Sequence, residues 1–241
     1  MTPKAILSGA ALAVFASAAS AATQVPLPAG YGDAAFNAAC AAGGDGNRGC
    51  ETAVVELRGG DGDGGGAAER ELKIEQVFEG RVIGLTESQF ALDGGESYAF
   101  SIDFDAAADR LSFTFGGTTV TRSADLAGTR SVFIRNRSGD RGALTLSNLV
   151  ADGVALGGLG PDGTSYLALG GFDPDRDFSL TGDAVFAFDD PNQRIGSRLA
   201  AQVKFTDLDV APIPLPAGGV LLLTGLAGLG AMRRRAAARA A

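Results

Sequence analysis

An antiparallel β-sandwich, an all-β fold, is what the sequence predicts for the body of this chain, and three observations lead to it. Apolar and polar residues alternate with a period of two through most of residues 67–210, the pattern of strands with one buried and one solvated face. Glycine and aspartate clusters divide this alternation into about ten short strands. Helical periodicity is nearly absent from the same region.

Residues 23–66 precede the sandwich region and are rich in alanine, glycine and aspartate. We expect them to be mostly loop, with two elements of regular structure. Asp33 is placed to cap a short helix over residues 34–42, and residues 52–58 (TAVVELR) predict a first strand. The glycine run GGDGDGGG at residues 59–66 ends that strand.

The next strand is predicted over residues 71–78. Its buried face is assigned to Leu72, Ile74, Gln76 and Phe78. Its solvated face is assigned to Glu71, Lys73 and Glu75. Two shorter strands are expected at residues 82–85 and 89–92, separated by a polar run.

A hairpin is predicted next, in which residues 98–105 pair with residues 111–115. Phenylalanine and aliphatic residues alternate with polar residues in both strands. The hairpin therefore presents an apolar face to the core and a solvated face that carries Asp103 and Asp105. Six further strands are predicted: residues 118–121, 130–135, 142–154, 164–169, 178–188 and 199–205.

The strand at residues 178–188 is the longest alternation in the chain. Gly182 and Ala184 stand in the middle of its buried face, and residues this small predict a close approach of the opposite sheet. In the last strand, Gln202 and Lys204 are assigned to the solvated face. A change of phase near Thr206 predicts a bulge or the strand end there.

The N-terminus, residues 1–22, has the three parts of a secretory signal peptide. Lys4 supplies a positive charge, residues 5–16 are apolar but too short to span a bilayer, and residues 17–22 are small and compatible with cleavage. We therefore expect export, with the mature chain beginning near Thr23. A retained N-terminal anchor is the alternative.

The C-terminus, residues 211–241, combines a proline motif, an apolar run and an arginine cluster. Residues 217–232 carry no charge, and counted from Ile213 the run approaches the ~20 residues of a transmembrane helix. The arginines that follow are Arg233, Arg234 and Arg235. Because arginines favour the cytoplasmic side, we expect the body on the opposite face of the membrane.

This tail resembles the VPLPA-CTERM variant of the PEP-CTERM sorting signal, carried by exported proteins of Gram-negative bacteria. The matching residues are Ile213, Pro214, Leu215, Pro216, Ala217 and Gly218, with isoleucine in place of the usual valine. The resemblance implies an exosortase-type enzyme as partner, removal of the tail, and delivery to the cell surface or an extracellular matrix. An uncleaved tail anchor is the alternative. Residues 146–204 are loosely similar to other surface proteins of this group, a similarity that implies no activity.

Charge and composition exclude several classes of function. The chain has a net charge of −8, and since both terminal signals are positive, the body is more acidic still. Such a body, with Lys73 and Lys204 as its only lysines, is a poor nucleic-acid binder. The sequence contains no histidine, which removes Ser-His-Asp and Cys-His catalysis and the usual zinc sites. We expect a protein that is not an enzyme and has no cofactor, with calcium as the one candidate ion.

Cys40 and Cys50 stand ten residues apart in the glycine-rich segment. In an exported protein they are expected to form one disulfide, which closes a short loop and stabilises the fold by about 2–3 kcal/mol. A catalytic thiol is the alternative.

Two groups of aspartates have the alternating spacing found in calcium-binding loops. The first is Asp61 with Asp63, and the second is Asp173, Asp175 and Asp177. Solvated turns are the competing interpretation for both groups.

Three functions remain open from the sequence. The leading one is a non-catalytic exported protein of the cell surface or extracellular matrix. The second is a calcium-dependent carbohydrate-binding or adhesive sandwich with a polysaccharide as partner. The third is a carboxylate glycosidase that uses Asp103 and Asp105, which are roughly 6–7 Å apart along one strand face.

Overall fold

The structure is a computed structural model that describes residues 22–42, 48–59, 70–90, 92–139, 142–188 and 199–210. Within these ranges the chain forms thirteen β-strands and one α-helix. The first half contributes β1 (Thr23–Val25), α1 (Asp33–Ala42), β2 (Glu51–Arg58), β3 (Glu71–Phe78), β4 (Arg81–Gln89), β5 (Ser97–Asp105) and β6 (Arg110–Phe115). The second half contributes β7 (Thr118–Ser123), β8 (Ser131–Arg137), β9 (Gly142–Ala151), β10 (Val154–Ala155), β11 (Thr164–Gly170), β12 (Phe178–Phe188) and β13 (Ala200–Thr206).

Two antiparallel sheets pack against each other, which confirms the predicted all-β sandwich. Sheet A has seven strands in the order β1-β11-β8-β13-β2-β3-β4, and sheet B has six in the order β10-β9-β12-β5-β6-β7. All strand pairs in the described residues are antiparallel. Strand β2, from the segment that precedes the sandwich region in the sequence, lies inside sheet A between β13 and β3.

The core between the sheets is built from the alternating apolar residues that the sequence indicates. In β5, Phe100, Ile102 and Phe104 are buried. The strand pairs with β6 so that Ile102 lies opposite Phe113. The predicted hairpin of these two strands is therefore confirmed.

One strand replaces the two short strands predicted at residues 82–85 and 89–92. Strand β4 runs without a break along the edge of sheet A, whereas Leu92 is buried outside any strand. No residue of β4 is buried, so the polar run at residues 86–88 fits an edge strand whose side chains reach water. The predicted break was wrong for that reason.

The predicted burial of Phe78 was also wrong. The register of β3 against β4 shifts between Gln76 and Val77. At this end of the strand Val77 is buried and Phe78 is 61% exposed. A register shift changes the face that later side chains occupy, so alternation alone does not reveal it.

The stretch predicted as one strand at residues 142–154 is two strands. Strand β9 ends at Ala151, and a turn at Asp152 and Gly153, with φ of 47° and 79°, leads into the short β10. An Asp-Gly pair is typical of such a turn because both residues tolerate positive φ.

Strand β12 has the predicted alternation, but the predicted neighbour of Gly182 was wrong. A Cβ at this position would stand 2.7 Å from Cδ2 of Leu149 and 3.0 Å from the ring of Phe100. These residues belong to β9 and β5, which flank β12 in sheet B. The space at Gly182 is therefore used by adjacent strands of its own sheet. The predicted strand end near Thr206 is confirmed, since β13 ends there with a register shift.

Residues 1–21 of the predicted signal peptide and the whole C-terminal tail, residues 211–241, lie outside the described residues, as do Asp61 and Asp63. The sorting motif at residues 213–218 and the arginine cluster at residues 233–235 therefore stay predictions. In the part of the chain that the structure describes, no helix combines the length and the apolar character needed to cross a bilayer.

Candidate functional site

The outer face of sheet A, turned away from sheet B, carries charged side chains that are buried. Glu56 and Arg135 are 3% and 6% exposed. Glu71, Lys73 and Lys204 are 8%, 7% and 9% exposed, so their predicted position on solvated faces was wrong. The alternation placed these residues on the correct face of the sheet. It does not show whether that face is exposed to water or buried by another part of the protein.

Helix α1 packs on this outer face. Phe36 is fully buried, and its ring centre lies 5.1 Å from that of Phe133 on β8 and 5.6 Å from that of Tyr166 on β11. The disulfide between Cys40 and Cys50 confirms the predicted pairing and joins α1 to the turn before β2. Aromatic contacts and one covalent bond thus fix the helix against the sheet.

The first turn of α1 is held by an ion pair with the sheet. Arg135 donates hydrogen bonds from Nε to Asp33 Oδ1 at 2.7 Å and from Nη2 to Asp33 Oδ2 at 2.6 Å. The hydroxyl of Tyr166 donates to Asp33 Oδ1 at 2.7 Å. The carboxylate expected to cap α1 therefore binds the sheet, and the carbonyl of Gly32 accepts the N–H of Phe36.

These contacts decide which groups are charged. Burial alone would raise the pKa of Asp33, but the hydrogen bonds from Arg135 and Tyr166 and the charge of Arg135 hold it below its ordinary value. Burial, followed by the hydrogen bond to Asp33, raises the pKa of the Tyr166 hydroxyl well above its ordinary value. At neutral pH Asp33 is an ionised acceptor and Tyr166 a protonated donor.

A polar network continues from this pair across the sheet. Arg135 Nη1 donates to Gln202 Oε1 at 3.2 Å, and Gln202 Nε2 donates to Glu56 Oε1 at 2.8 Å. Glu56 also forms ion pairs with Arg58 Nε at 3.0 Å and with Lys73 Nζ at 3.3 Å. The network therefore connects β8, β13, β2 and β3 in the order in which these strands lie in sheet A.

Lys204 is a second buried cation near the helix. It forms an ion pair with Glu51 at the start of β2, and its Nζ lies 4.9 Å from the ring centre of Phe36. Ion pairing and the cation–π contact offset the loss of hydration that burial of an ammonium group causes. Lys204 therefore belongs to the contact between α1 and the sheet.

A polar cleft of about 250 Å³ is lined by residues of α1 and the sheet. Every lining side chain is polar or charged. The charged ones are Asp33, Glu56, Arg58, Arg135, Arg137 and Lys204. Four cations thus face two carboxylates, in a chain whose net charge is −8. A lining of this kind suits a small hydrophilic anion.

The arginines of this cleft were not predicted from the sequence. Arg58 and Arg137 come from strands far apart in the chain, yet Arg58 lies opposite Ala200, and Ala200 lies opposite Arg137. Their proximity depends on the order β8-β13-β2 in sheet A, which no local pattern reveals. The signal that the sequence does contain is the recurrence of arginine at the outer positions 135 and 137 of one strand.

Asp103 and Asp105, the predicted catalytic pair, line a different groove, of about 410 Å³, on sheet B. Asp103 Oδ1 accepts a hydrogen bond from Ser179 Oγ at 2.8 Å, and Asp105 Oδ2 lies 3.1 Å from Arg110 Nη2. Asp152 lines the same groove. Both carboxylates of the pair have partners, and glycosidase activity stays a prediction.

The aspartates at positions 173, 175 and 177 lie in the loop between β11 and β12. Asp173 Oδ1 accepts the backbone N–H of Asp175 at 3.0 Å, and Asp177 Oδ1 accepts that of Ala106 at 3.0 Å. Within the described ranges, no three residues of the types His, Cys, Asp or Glu are grouped so that they could hold a metal ion. The observed bonds of Asp173 and Asp177 are contacts to loop backbone.

Comparison with known proteins assigns no family to the chain. No protein-family model and no curated protein matches it.

Proposed function

We propose that this chain is a non-catalytic exported protein of the bacterial cell surface or extracellular matrix, delivered by an exosortase-type enzyme that recognises its C-terminal tail. The β-sandwich is the exported part. The apolar segment of the tail holds it at the outer side of the inner membrane until sorting. The support from the sequence is the signal-like N-terminus together with the proline motif, apolar run and arginine cluster at residues 211–241.

The observation that carries the proposal is the disulfide beneath α1. Cys40 and Cys50 are 0% and 1% exposed and are joined to each other. Structural disulfides form and persist in oxidising compartments and are rare in the cytosol. A buried disulfide in the body is therefore evidence for export, and it agrees with the direction that the terminal segments imply.

The chemistry of the cleft favours binding over catalysis. The acid–base groups at its centre are engaged with one another, as in the pairs of Arg135 with Asp33 and of Arg58 with Glu56. The raised pKa of Tyr166 keeps its hydroxyl protonated, so it does not serve as a general base near neutral pH. A cleft with fixed donors and no free base is suited to holding a ligand.

Mass spectrometry of the mature protein isolated from its host tests the proposal. We expect a chain that begins near Thr23, lacks the arginine cluster at residues 233–235, and contains Cys40 and Cys50 in the disulfide form. In a host strain without the sorting enzyme, the same analysis should find the tail still attached.

Two outcomes would contradict the proposal. A chain that begins at Met1 and is recovered from the cytosol would exclude export. A chain that has lost its signal peptide but keeps residues 233–235 in the normal host would exclude sorting by cleavage and favour a permanent tail anchor.

A further inference from the structure

We infer that the cleft beside α1 binds a small polyhydroxylated carboxylate, such as an acidic sugar unit, with the carboxylate held by Arg137 and Arg58. This inference goes beyond the proposed function because it names a site and a class of ligand. It rests on the cleft alone and holds or fails independently of export and sorting.

One of the four cations of the cleft has no acidic partner among the residues that the structure describes. The other three form ion pairs with acids, namely Arg135 with Asp33, Arg58 with Glu56, and Lys204 with Glu51. For Arg137, no described side chain supplies a hydrogen bond or an ion pair. Its charge acts on Asp33 only through space. The positive excess of the cleft is therefore located at Arg137.

Arg137 lies close to a second arginine of the cleft, Arg58. The two residues lie in one row across the outer face of sheet A, with Ala200 of β13 between them. Because neighbouring strands are ~4.8 Å apart, their backbones are about 10 Å apart, and the short side chain of Ala200 places no bulk between them. Arg58 pairs through Nε with Glu56 and through Nη1, at 3.8 Å, with Glu71. The guanidinium of Arg137 and the remaining Nη2 of Arg58 are therefore the groups that can converge on one carboxylate.

The polar lining of the cleft indicates the character of the rest of the ligand. With no apolar side chain in the lining, an apolar ligand would gain little from entering the cleft. Asn37 of α1 also lines it, and none of the described residues hydrogen-bonds the Asn37 amide. This amide can both donate to and accept from hydroxyl groups.

The volume of the cleft limits the size of the ligand. Its volume of about 250 Å³ is slightly below the roughly 300–1,000 Å³ of pockets that enclose drug-sized molecules. It therefore suits a single sugar ring, with further units of a chain left in solvent. A ligand with a carboxylate for Arg137, hydroxyl groups for Asn37 and the size of one ring is an acidic sugar.

Calorimetric titration of the full chain in detergent at low salt, with galacturonic acid oligomers as the probe, tests the inference. We expect the wild type to bind the galacturonic acid oligomer. It should not bind an uncharged glucose oligomer of the same length. Arg137→Gln should weaken the affinity about tenfold or more, because it removes a charge-assisted hydrogen bond. Asn37→Ala should weaken it by a smaller factor.

The matched control is Arg81→Gln, which removes the same charge from an exposed arginine on β4. This variant should bind the oligomer like the wild type, and thermal melts should show that all variants are folded. Three results would overturn the inference: no heat of binding to the wild type, equal weakening by Arg81→Gln, or inorganic sulfate bound as tightly as the oligomer, which would indicate an adventitious ion only. None of them bears on the mature termini, so the proposed function is tested separately.

Discussion

Arg135 is the residue that connects helix and sheet at the candidate site. Its guanidinium group donates to Asp33 on α1 and to Gln202 on β13, and it is 6% exposed. Burying such a group costs hydration, so the net gain in stability from the pair is small, whereas removing one partner is strongly destabilising. The network around Arg135 therefore serves to position α1 and the walls of the cleft.

Acid should weaken the fold through Glu56, the carboxylate at the centre of this network. Burial alone would raise its pKa, but the hydrogen bond and charge of Arg58 and the charge of Lys73 lower it below the ordinary value of 4.5. A group whose pKa is depressed in the folded state stabilises the protein above its unfolded pKa, and this stability is lost as pH falls through the folded pKa. The loss should therefore begin near pH 4.5 and continue below it.

Replacement of this carboxylate isolates its contribution. Glu56→Gln should lower the free energy of unfolding at pH 7 by roughly 1–3 kcal/mol, because a buried charged acceptor is lost while Arg58 keeps Glu71, and Lys73 keeps Glu71 and Glu75, as ion-pair partners. Urea denaturation at several pH values should show this difference shrinking below pH 4.5. Glu96→Gln, at an exposed position before β5, is the control and should behave like the wild type. A difference that stays constant from pH 7 to pH 3 would contradict the assignment.

Lys204 shows what could and could not be predicted at the scale of single residues. Alternation placed it correctly on the outer face of β13, because the inner positions of that strand are apolar. It did not indicate burial, because Glu51 and the ring of Phe36, which contact Lys204, are remote in the sequence. The same limitation applies to Arg135, whose partners Asp33 and Gln202 come from α1 and β13.

Helix α1 is the element on which the candidate site depends. Its ten residues are mostly small, and Phe36 and Cys40 are the two that are buried. A helix of this length and composition is marginal on its own. The contacts of Phe36 and the disulfide must therefore supply much of what holds it in place.

Removal of the disulfide tests this dependence. The double replacement Cys40→Ser with Cys50→Ser should lower the free energy of unfolding by about 2–3 kcal/mol, because the unfolded chain regains the entropy that the closed loop had removed. Urea denaturation measures the loss, and hydrogen exchange should show faster exchange in α1 than in β5.

The wild type provides the control for this variant. Addition of a reductant should lower the stability of the wild type to that of the double variant and leave the variant unchanged. Equal stability of the oxidised wild type and the double variant would show that α1 does not need the covalent bond.

Elements were predictable where a long alternation met no interruption. The hairpin of β5 and β6 follows from alternating phenylalanines whose spacing leaves one choice of buried face. Strand β4 was predicted as two strands because its polar residues 86–88 resemble a turn. These residues fit a strand because β4 lies at the edge of sheet A, and that position is a property of the whole sheet. The register shift opposite β3 escaped prediction for the same reason.

At the scale of the whole molecule, the two sheets differ in what lies on their outer faces. Sheet A carries α1, buried ion pairs and the basic cleft, whereas the outer face of sheet B carries polar pairs such as Thr114 with Thr119. The sandwich class was predictable from periodicity alone. The strand order that brings β8, β13 and β2 together was not, because it joins strands from both ends of the body.

A reporter inserted after Val210 in the complete chain tests most directly whether this sandwich is displayed beyond the inner membrane, as we propose. Alkaline phosphatase at this position, which is active only where disulfides form, should give high activity in the host. A fluorescent protein that folds only in the cytosol should stay dark at the same position. Bright fluorescence together with an inactive phosphatase would place the body in the cytosol and contradict the account.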